Sequence, residues 1–443
     1  MLVDFSVQNF LSFNSRQELS LLASTTKKEN YNLQSVAEIN DFGIKNILKS
    51  AAIFGANASG KTNLTHALVM FKSIVLESLE SIDDKVIDAA VPFLMKSDFY
   101  DIPTEFEVSF IHGGKFYRYG IAIENEIISE EWLYWNKKSR ETMLFHRSEQ
   151  EIEFNQRSFP EAKDFVKKDG DKWVVEKTKS FVPFISVLAQ FDGEKATDVT
   201  SWFRKLNIVS GLNDSGFKRF TINLFDEDPN FKIWALEILK SLQIDDVEIT
   251  EVEKSIPEPS GRSEVEDAKV DDAINTLHRY LKGKKFKEKQ VEVLKTNKRT
   301  GENYKFPMSL ESEGTCKLIY LLGPLYDVIT NQEVLVVDEF DNKFHTLLCK
   351  YIVDLYSSRS AGMSQLIMTC HDTNLLSNDL FRRDQIWFVE KNEENESELY
   401  SLVEYKEYYA KKRGSYSSDY LAGKYGAIPL FQSVEQMGTL LNG

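Results

Sequence analysis

The sequence predicts an α/β protein, a mixed β-sheet with helices, split by an inserted, mainly helical lobe. Three observations carry that prediction. A short apolar strand, Ser50-Ala-Ala-Ile-Phe, runs into a glycine-containing loop and then into a helix from Thr62. A second apolar strand, Glu333-Val-Leu-Val-Val, ends in the paired acids Asp338 and Glu339. More than half the chain lies between these two units, and its middle is helical in pattern. The expected organisation is a first half at 1–155, the inserted lobe at 156–300 and a second half at 301–443.

Each element follows from local pattern. Leu2-Val-Asp-Phe-Ser-Val-Gln-Asn-Phe alternates, and Glu18-Leu-Ser-Leu-Leu is its expected partner across a turn near Asn14. From Thr104 to Ile123, two alternating runs flank His112-Gly-Gly, a hairpin signal. Glu130–Trp135 and Glu151–Phe154 extend an antiparallel sheet. Val199–Leu224 and Asn230–Leu242 carry apolar residues at three and four spacing and predict helices. The break Ile256-Pro-Glu-Pro-Ser-Gly-Arg and the acidic run Glu264–Asp272 interrupt them, and heptads are not sustained. Beyond 300 the pattern predicts a helix at Gly314–Val328, the strand before Asp338, a helix at Phe344–Ser357, and strands at Gln365–Thr369 and Gln385–Val389.

Composition excludes several classes of function. The chain has 443 residues and a net charge of −15, so it carries no generally basic coat for nucleic acid. Its local basic patches are Lys282-Gly-Lys-Lys-Phe-Lys and Lys411-Lys-Arg. Three widely spaced cysteines suit neither a zinc site nor a disulfide framework. No apolar run approaches the roughly 18 residues of a spanning helix, and the first residues lack a secretory pattern. A cytoplasmic protein without a membrane role is expected.

Two sequence units carry chemistry. Gly55-Ala-Asn57-Ala58-Ser59-Gly60-Lys61-Thr62 fits the G-x-x-x-x-G-K-[ST] phosphate loop, with Asn63 opening the helix. Glycines let backbone N–H groups turn inward around phosphates, and the helix N-terminus adds partial positive charge. Lys61 is placed to reach the β and γ phosphates of ATP, and the Thr62 hydroxyl to ligate Mg²⁺. A buried strand ending in acids sets Asp338 and Glu339 at the carboxyl edge of a sheet, where ligands bind in open α/β folds. Asp338 is expected at the magnesium site and Glu339 at the attacking water. His371, at the end of another apolar strand, is the candidate for a γ-phosphate contact.

The separation of Lys61 from Asp338 resembles the ABC/SMC/RecF head, in which an inserted arm splits the nucleotide fold. That family places a serine-glycine signature loop before a helix, just upstream of the second acidic strand. Ser312 and Gly314 in Ser309-Leu-Glu-Ser-Glu-Gly-Thr match its serine and second glycine, while Glu313 departs from its first glycine. By resemblance this loop caps the γ-phosphate of a second subunit, so two heads sandwich two ATPs. Asp341 fits the family's D-loop aspartate. No glutamine marks a Q-loop, and Val91-Pro-Phe-Leu is the segment where one is sought.

Within that superfamily the chain is most similar to stand-alone prokaryotic phage-defence ATPases, the AbiL/RloA-type group and relatives of the OLD and PARIS ATPases. The likeness lies in Asn9-Phe-Leu-Ser-Phe, Phe54–Asn63, Glu105–Ile123, Glu311–Leu322, Asp338–His345, Leu380–Lys391 and Tyr420–Pro429. It implies a Mg²⁺-dependent ATPase whose ATP-driven head pairing, as a homodimer or higher homo-oligomer, senses or controls an effector. Beyond His371 no carboxylate set suits the two metals of a Toprim nuclease, so a nuclease or toxin is expected in a partner. A nucleic-acid or phage-derived trigger fits the same reading. The rival is a RecF- or SMC-like DNA-binding repair factor, with Lys282–Lys289 as its basic stripe.

Overall fold

The computed structural model describes residues 1–24, 33–35, 44, 46–80, 85–96, 102–136, 140–211, 215–255, 285–405 and 415–429. The Ile256–Arg262 break, the acidic run Glu264–Asp272, the Lys411–Arg413 patch and most of the Lys282 patch lie outside them. The chain divides into two compact units, Met1–Asn213 with Asp327–Gly443, and Asp214–Tyr326.

The first unit begins with strands β1 (Leu2–Gln8), β2 (Gln17–Ser20), β3 (Leu33–Ser35), β4 (Asn46–Leu48) and β5 (Ser50–Phe54), followed by helix α1 (Lys61–Glu77). Strands β6 (Thr104–His112), β7 (Lys115–Glu124), β8 (Ile127–Asn136), β9 (Glu141–Ser148), β10 (Glu151–Phe154), β11 (Val166–Asp169) and β12 (Lys172–Val175) follow. With β1 and β2 they make a nine-stranded antiparallel sheet in the order β11-β12-β10-β9-β8-β7-β6-β1-β2. The β6–β7 turn falls at His112-Gly-Gly-Lys115, with His112 opposite Lys115. Glycines 113 and 114 both take the left-handed conformation that such a tight turn requires.

Helices α2 (Phe184–Gln190) and α3 (Glu194–Arg204) lead to β13 (Leu206–Ser210). Here the structure corrects the expectation of one helical stretch through Val199–Leu224. Leu206-Asn-Ile-Val-Ser contains adjacent β-branched residues, and it pairs in parallel with a strand of the C-terminal half. Residues 156–213 accordingly fold with the first unit, and the separate unit starts at Asp214, not at 156.

That second unit holds α4 (Ser215–Glu227), α5 (Pro229–Leu239), the antiparallel meander β14 (Asp246–Ser255), β15 (Lys285–Thr296) and β16 (Asn303–Pro307), and the start of α6 (Glu313–Asn331). The meander is a second departure from a mainly helical lobe. Its strands interleave charges with valines, and cross-strand pairs such as Lys287–Glu251 (2.7 Å) hold the exposed face. Asp228 caps α5, its side chain accepting from Asn230 N and Phe231 N. Phe231 packs edge-on against Phe225 and Tyr326.

The C-terminal part supplies β17 (Val334–Asp338), α7 (Thr346–Ser357), β18 (Gln365–Thr369), β19 (Ile386–Lys391), β20 (Ser397–Ser401) and α8 (Tyr416–Leu421). The second sheet of the first unit runs β13-β17-β18-β5-β19-β20, parallel except for β20. The strand that feeds the phosphate loop therefore sits between two strands from the far end of the sequence, which is the split nucleotide fold. Buried Gln365 ties the sheets together, accepting from Leu2 N (2.6 Å) and donating to the carbonyls of Leu2 and Leu48 (3.0 Å each).

Helix α1 packs in the core through Leu64, Ala67, Leu68, Phe71, Ile74 and Val75, all buried at helical spacing. Phe71 stacks on Phe106 and Tyr119, each at 5.6 Å, and meets Phe203 edge-on. Full burial of each large side chain contributes about 1.5–3 kcal/mol, so this face anchors the helix at its phosphate-loop end. Beside it lies a fully buried ion pair, Arg147 Nη1 to Glu131 Oε2 at 3.3 Å. Glu131 also accepts from Tyr119 and from the first backbone N–H groups of α2. Among the described residues no helix is long and apolar enough to cross a membrane.

Candidate active site

The loop between β5 and α1 is shaped by close approaches that leave no room for side chains at its glycines. A Cβ on Gly55 would stand 2.3 Å from the Val389 carbonyl oxygen. Gly60 holds φ at +115°, and a Cβ there would lie 2.2 Å from Ser397 Oγ and 2.8 Å from Ser12 Oγ. Ala58 is also left-handed. The loop thus turns its backbone inward, a concave nest of N–H groups at a helix N-terminus.

Lys61 lies over this nest and donates to the carbonyls of Gly55 (2.8 Å) and Ala56 (2.9 Å). Burial pushes its amine down to about 8, partly offset by the charges of Asp338, Glu339 and Asp341. A cation held in a dry site among carboxylates is poised for a ligand carrying more negative charge.

The neighbouring strand ends bring the acids to the same edge. Asp338 closes β17 and is buried. Its Oδ1 accepts from Thr369 Oγ1 at 2.7 Å, and the same hydroxyl accepts from Glu339 N at 2.7 Å. Thr369, the last residue of β18, therefore aligns both acidic positions. Glu339 takes a left-handed backbone (φ 50°), turning the chain out of the strand, and Asn342 Nδ2 donates to its Oε2 at 3.2 Å. Asp341 accepts from His371 N at 2.8 Å and from Asp372 N, fixing the backbone from which His371 projects. The imidazole's pKa is lowered, first by burial and then by the Lys61 charge, with Asp341, Glu339 and Asp338 opposing.

Residues 57–63, Glu339, His371 and Lys391 line one cavity of about 710 Å³. Asn57, Ala58, Ser59, Gly60, Lys61, Thr62 and Asn63 thus share it with Glu339 and His371, while Asp338 and Asp341 support its wall. Ser312 and Gly314 belong to the second unit. There Ser312 Oγ accepts from Thr315 N (3.2 Å) and bonds Thr315 Oγ1 (2.9 Å) at the start of α6. The Val91 segment contains no glutamine. Its Val91 carbonyl accepts from Leu11 N, and Phe93 N donates to Asn9 Oδ1.

Four residues at the site escaped the sequence reading: Thr369, Lys391, Ser397 and Ser12. The available signal was positional, since Thr369 and Lys391 end apolar strands as Asp338 does. The donor set suits nucleotide and magnesium. A glycine cradle, a buried lysine, the Thr62 hydroxyl on the cavity wall and the buried carboxylate Asp338 are the kinds of group a Mg²⁺-bound triphosphate requires.

Fold and loop together define a P-loop nucleotide-binding protein. A family model described as "AAA domain, putative AbiEii toxin, Type IV TA system" matches residues 50–377, and the chain belongs to that family. No curated protein matches it. Among solved structures, an SMC head domain from Thermotoga maritima aligns over 90% of this chain and 98% of its own, at 12% identity and TM-score 0.40. An Smc head bound to the C-terminal winged-helix domain of ScpA aligns over 90% and 97%, at 14% identity and TM-score 0.43. An Smc head with an extended coiled coil, bound to the C-terminal domain of ScpA derived from Pyrococcus furiosus, aligns over 90% and 96%, at 14% identity and TM-score 0.38.

Proposed function

We propose that the protein is a Mg²⁺-dependent ATP hydrolase whose ATP-driven head pairing senses or controls a partner effector, a nuclease or toxin, in defence against phage. The observation that carries the hydrolase reading is the single cavity shared by the phosphate loop, Glu339 and His371. Lys61 and the backbone of residues 57–62 bind the phosphates. Thr62 and Asp338 would hold a magnesium ion, which supplies charge neutralisation on the β and γ phosphates. Glu339 orients and deprotonates the attacking water, and His371 contacts the γ-phosphate. Exclusion of bulk water by pairing, with Ser312, Gly314 and Asp341 meeting the partner's nucleotide, would complete the site.

The defence reading is supported by the family to which residues 50–377 belong, whose description includes a toxin and a toxin–antitoxin system. The rival, a repair-type DNA clamp, draws less support. Of its basic stripe, Lys287 pairs with Glu251 and Lys289 with Asp226 (2.6 Å), so that charge is spent internally. Affinity purification of the Glu339→Gln protein with Mg·ATP from its native cells separates the two. Recovery of a stoichiometric nuclease or toxin, released when ATP is withdrawn, supports effector control. Recovery of DNA with no protein partner sinks it.

A further inference from the structure

We infer that Lys391 is a second nucleotide-binding cation, set on the α-phosphate and ribose side of the loop. This rests on the loop being an ATP site, and it assigns a residue to which neither the motif nor the acidic strand points. In the sheet, β5 lies between β18 and β19. Glu339 and His371 follow β17 and β18, on one side of the loop, and Lys391 ends β19 on the other. A triphosphate whose γ end faces Glu339 and His371 runs its α-phosphate and ribose back toward β19. Lys391 lines that same cavity, and among the described residues no hydrogen bond or ion pair engages its amine. In a chain of net charge −15, a cation without a carboxylate beside a phosphate cradle is a ligand-facing group.

Its base is fixed to the loop. Lys391 stands opposite Ser397 across the β19–β20 hairpin. Ser12 Oγ accepts from Asn63 Nδ2 at 2.7 Å and from Ser397 Oγ at 2.8 Å. The same Ser397 hydroxyl lies 2.6 Å from the Ser59 carbonyl, and Ser397 N donates to the Ser12 carbonyl at 2.7 Å. These bonds tie together the first turn of α1, the N-terminal turn, the hairpin and the loop. With Val389 O pressed on Gly55, hairpin and loop form one body that carries Lys391 at a set distance from the phosphates.

The test is equilibrium binding of fluorescent ATP and ADP to wild type, Lys391→Ala and Lys391→Arg over a range of salt concentrations. Lys391→Ala is expected to weaken ATP and ADP alike by about tenfold, with a shallower salt dependence. Lys391→Arg is expected to restore binding. Unchanged affinity in Lys391→Ala, or a loss confined to ATP, overturns the assignment. A wild type that binds no nucleotide overturns the ATP reading itself, a distinct result. The exposed position of Lys391 keeps folding out of the comparison.

Discussion

Replacing Thr369 with valine removes a hydroxyl while keeping the shape of a fully buried side chain. The hydroxyl makes two bonds of 2.7 Å, one to the Asp338 carboxylate and one from Glu339 N. Stranding the Glu339 N–H costs about 1–3 kcal/mol, and losing a bond to a charged group about 1.5–3 kcal/mol. The two share one residue and do not add fully, so a loss of about 2–5 kcal/mol is expected in urea unfolding. The functional effect is sharper, because Thr369 orients the carboxylate proposed to hold magnesium. Loss of such a supporting partner typically weakens metal dependence by about 10–100-fold. The assay is ATP turnover titrated with Mg²⁺, comparing Thr369→Val with Thr369→Ser, which retains the donor. A valine variant with wild-type Mg²⁺ dependence and wild-type stability would refute the assignment of Thr369 as the residue that aligns Asp338 and Glu339.

Gly60→Ala places a Cβ against Ser397 Oγ at a left-handed φ, so nucleotide binding should fall by at least tenfold at a stability cost of about 1–3 kcal/mol; calorimetric titration and thermal melting read the two effects. Lys61 titrates near 8 in the folded protein against 10.5 unfolded, so the unfolded chain binds the extra proton between these values. Stability should therefore rise with pH across about 8 to 10.5, a slope that Lys61→Met flattens in denaturant titrations. ATP phosphates favour the charged amine, so above pH 8 binding should take up a proton, seen as a buffer-dependent heat. Arg147→Leu leaves Glu131 buried without its cation and should cost about 3–5 kcal/mol in urea unfolding; a loss below 1 kcal/mol would show that Tyr119 and the α2 N–H groups suffice.

The phosphate loop and the acidic strand were legible because each combines a local motif with an apolar run that can be read without knowing its neighbours. The β6–β7 hairpin was legible for the same reason, its turn being marked by His112-Gly-Gly. Thr369, Lys391, Ser397 and Ser12 were not, because their roles depend on lateral strand order, and a single sequence does not say that β5 lies between β18 and β19. The missed strand β13 has its pairing partner, β17, more than a hundred residues away, while its apolar spacing also fits a helix. In the second unit, β14 and β15 fall within the stretch expected to be mainly helical, and their strand character depends on a long-range pairing that sets Glu251 opposite Lys289 and Glu253 opposite Lys287.

The most direct measurement compares Mg·ATP binding, turnover and solution mass for wild type, Lys61→Ala and Glu339→Gln. The account predicts turnover by wild type, no binding by Lys61→Ala, and binding without turnover by Glu339→Gln, with its mass doubling when ATP is added. Tight ATP binding by Lys61→Ala, or normal multiple turnover by Glu339→Gln, would contradict it.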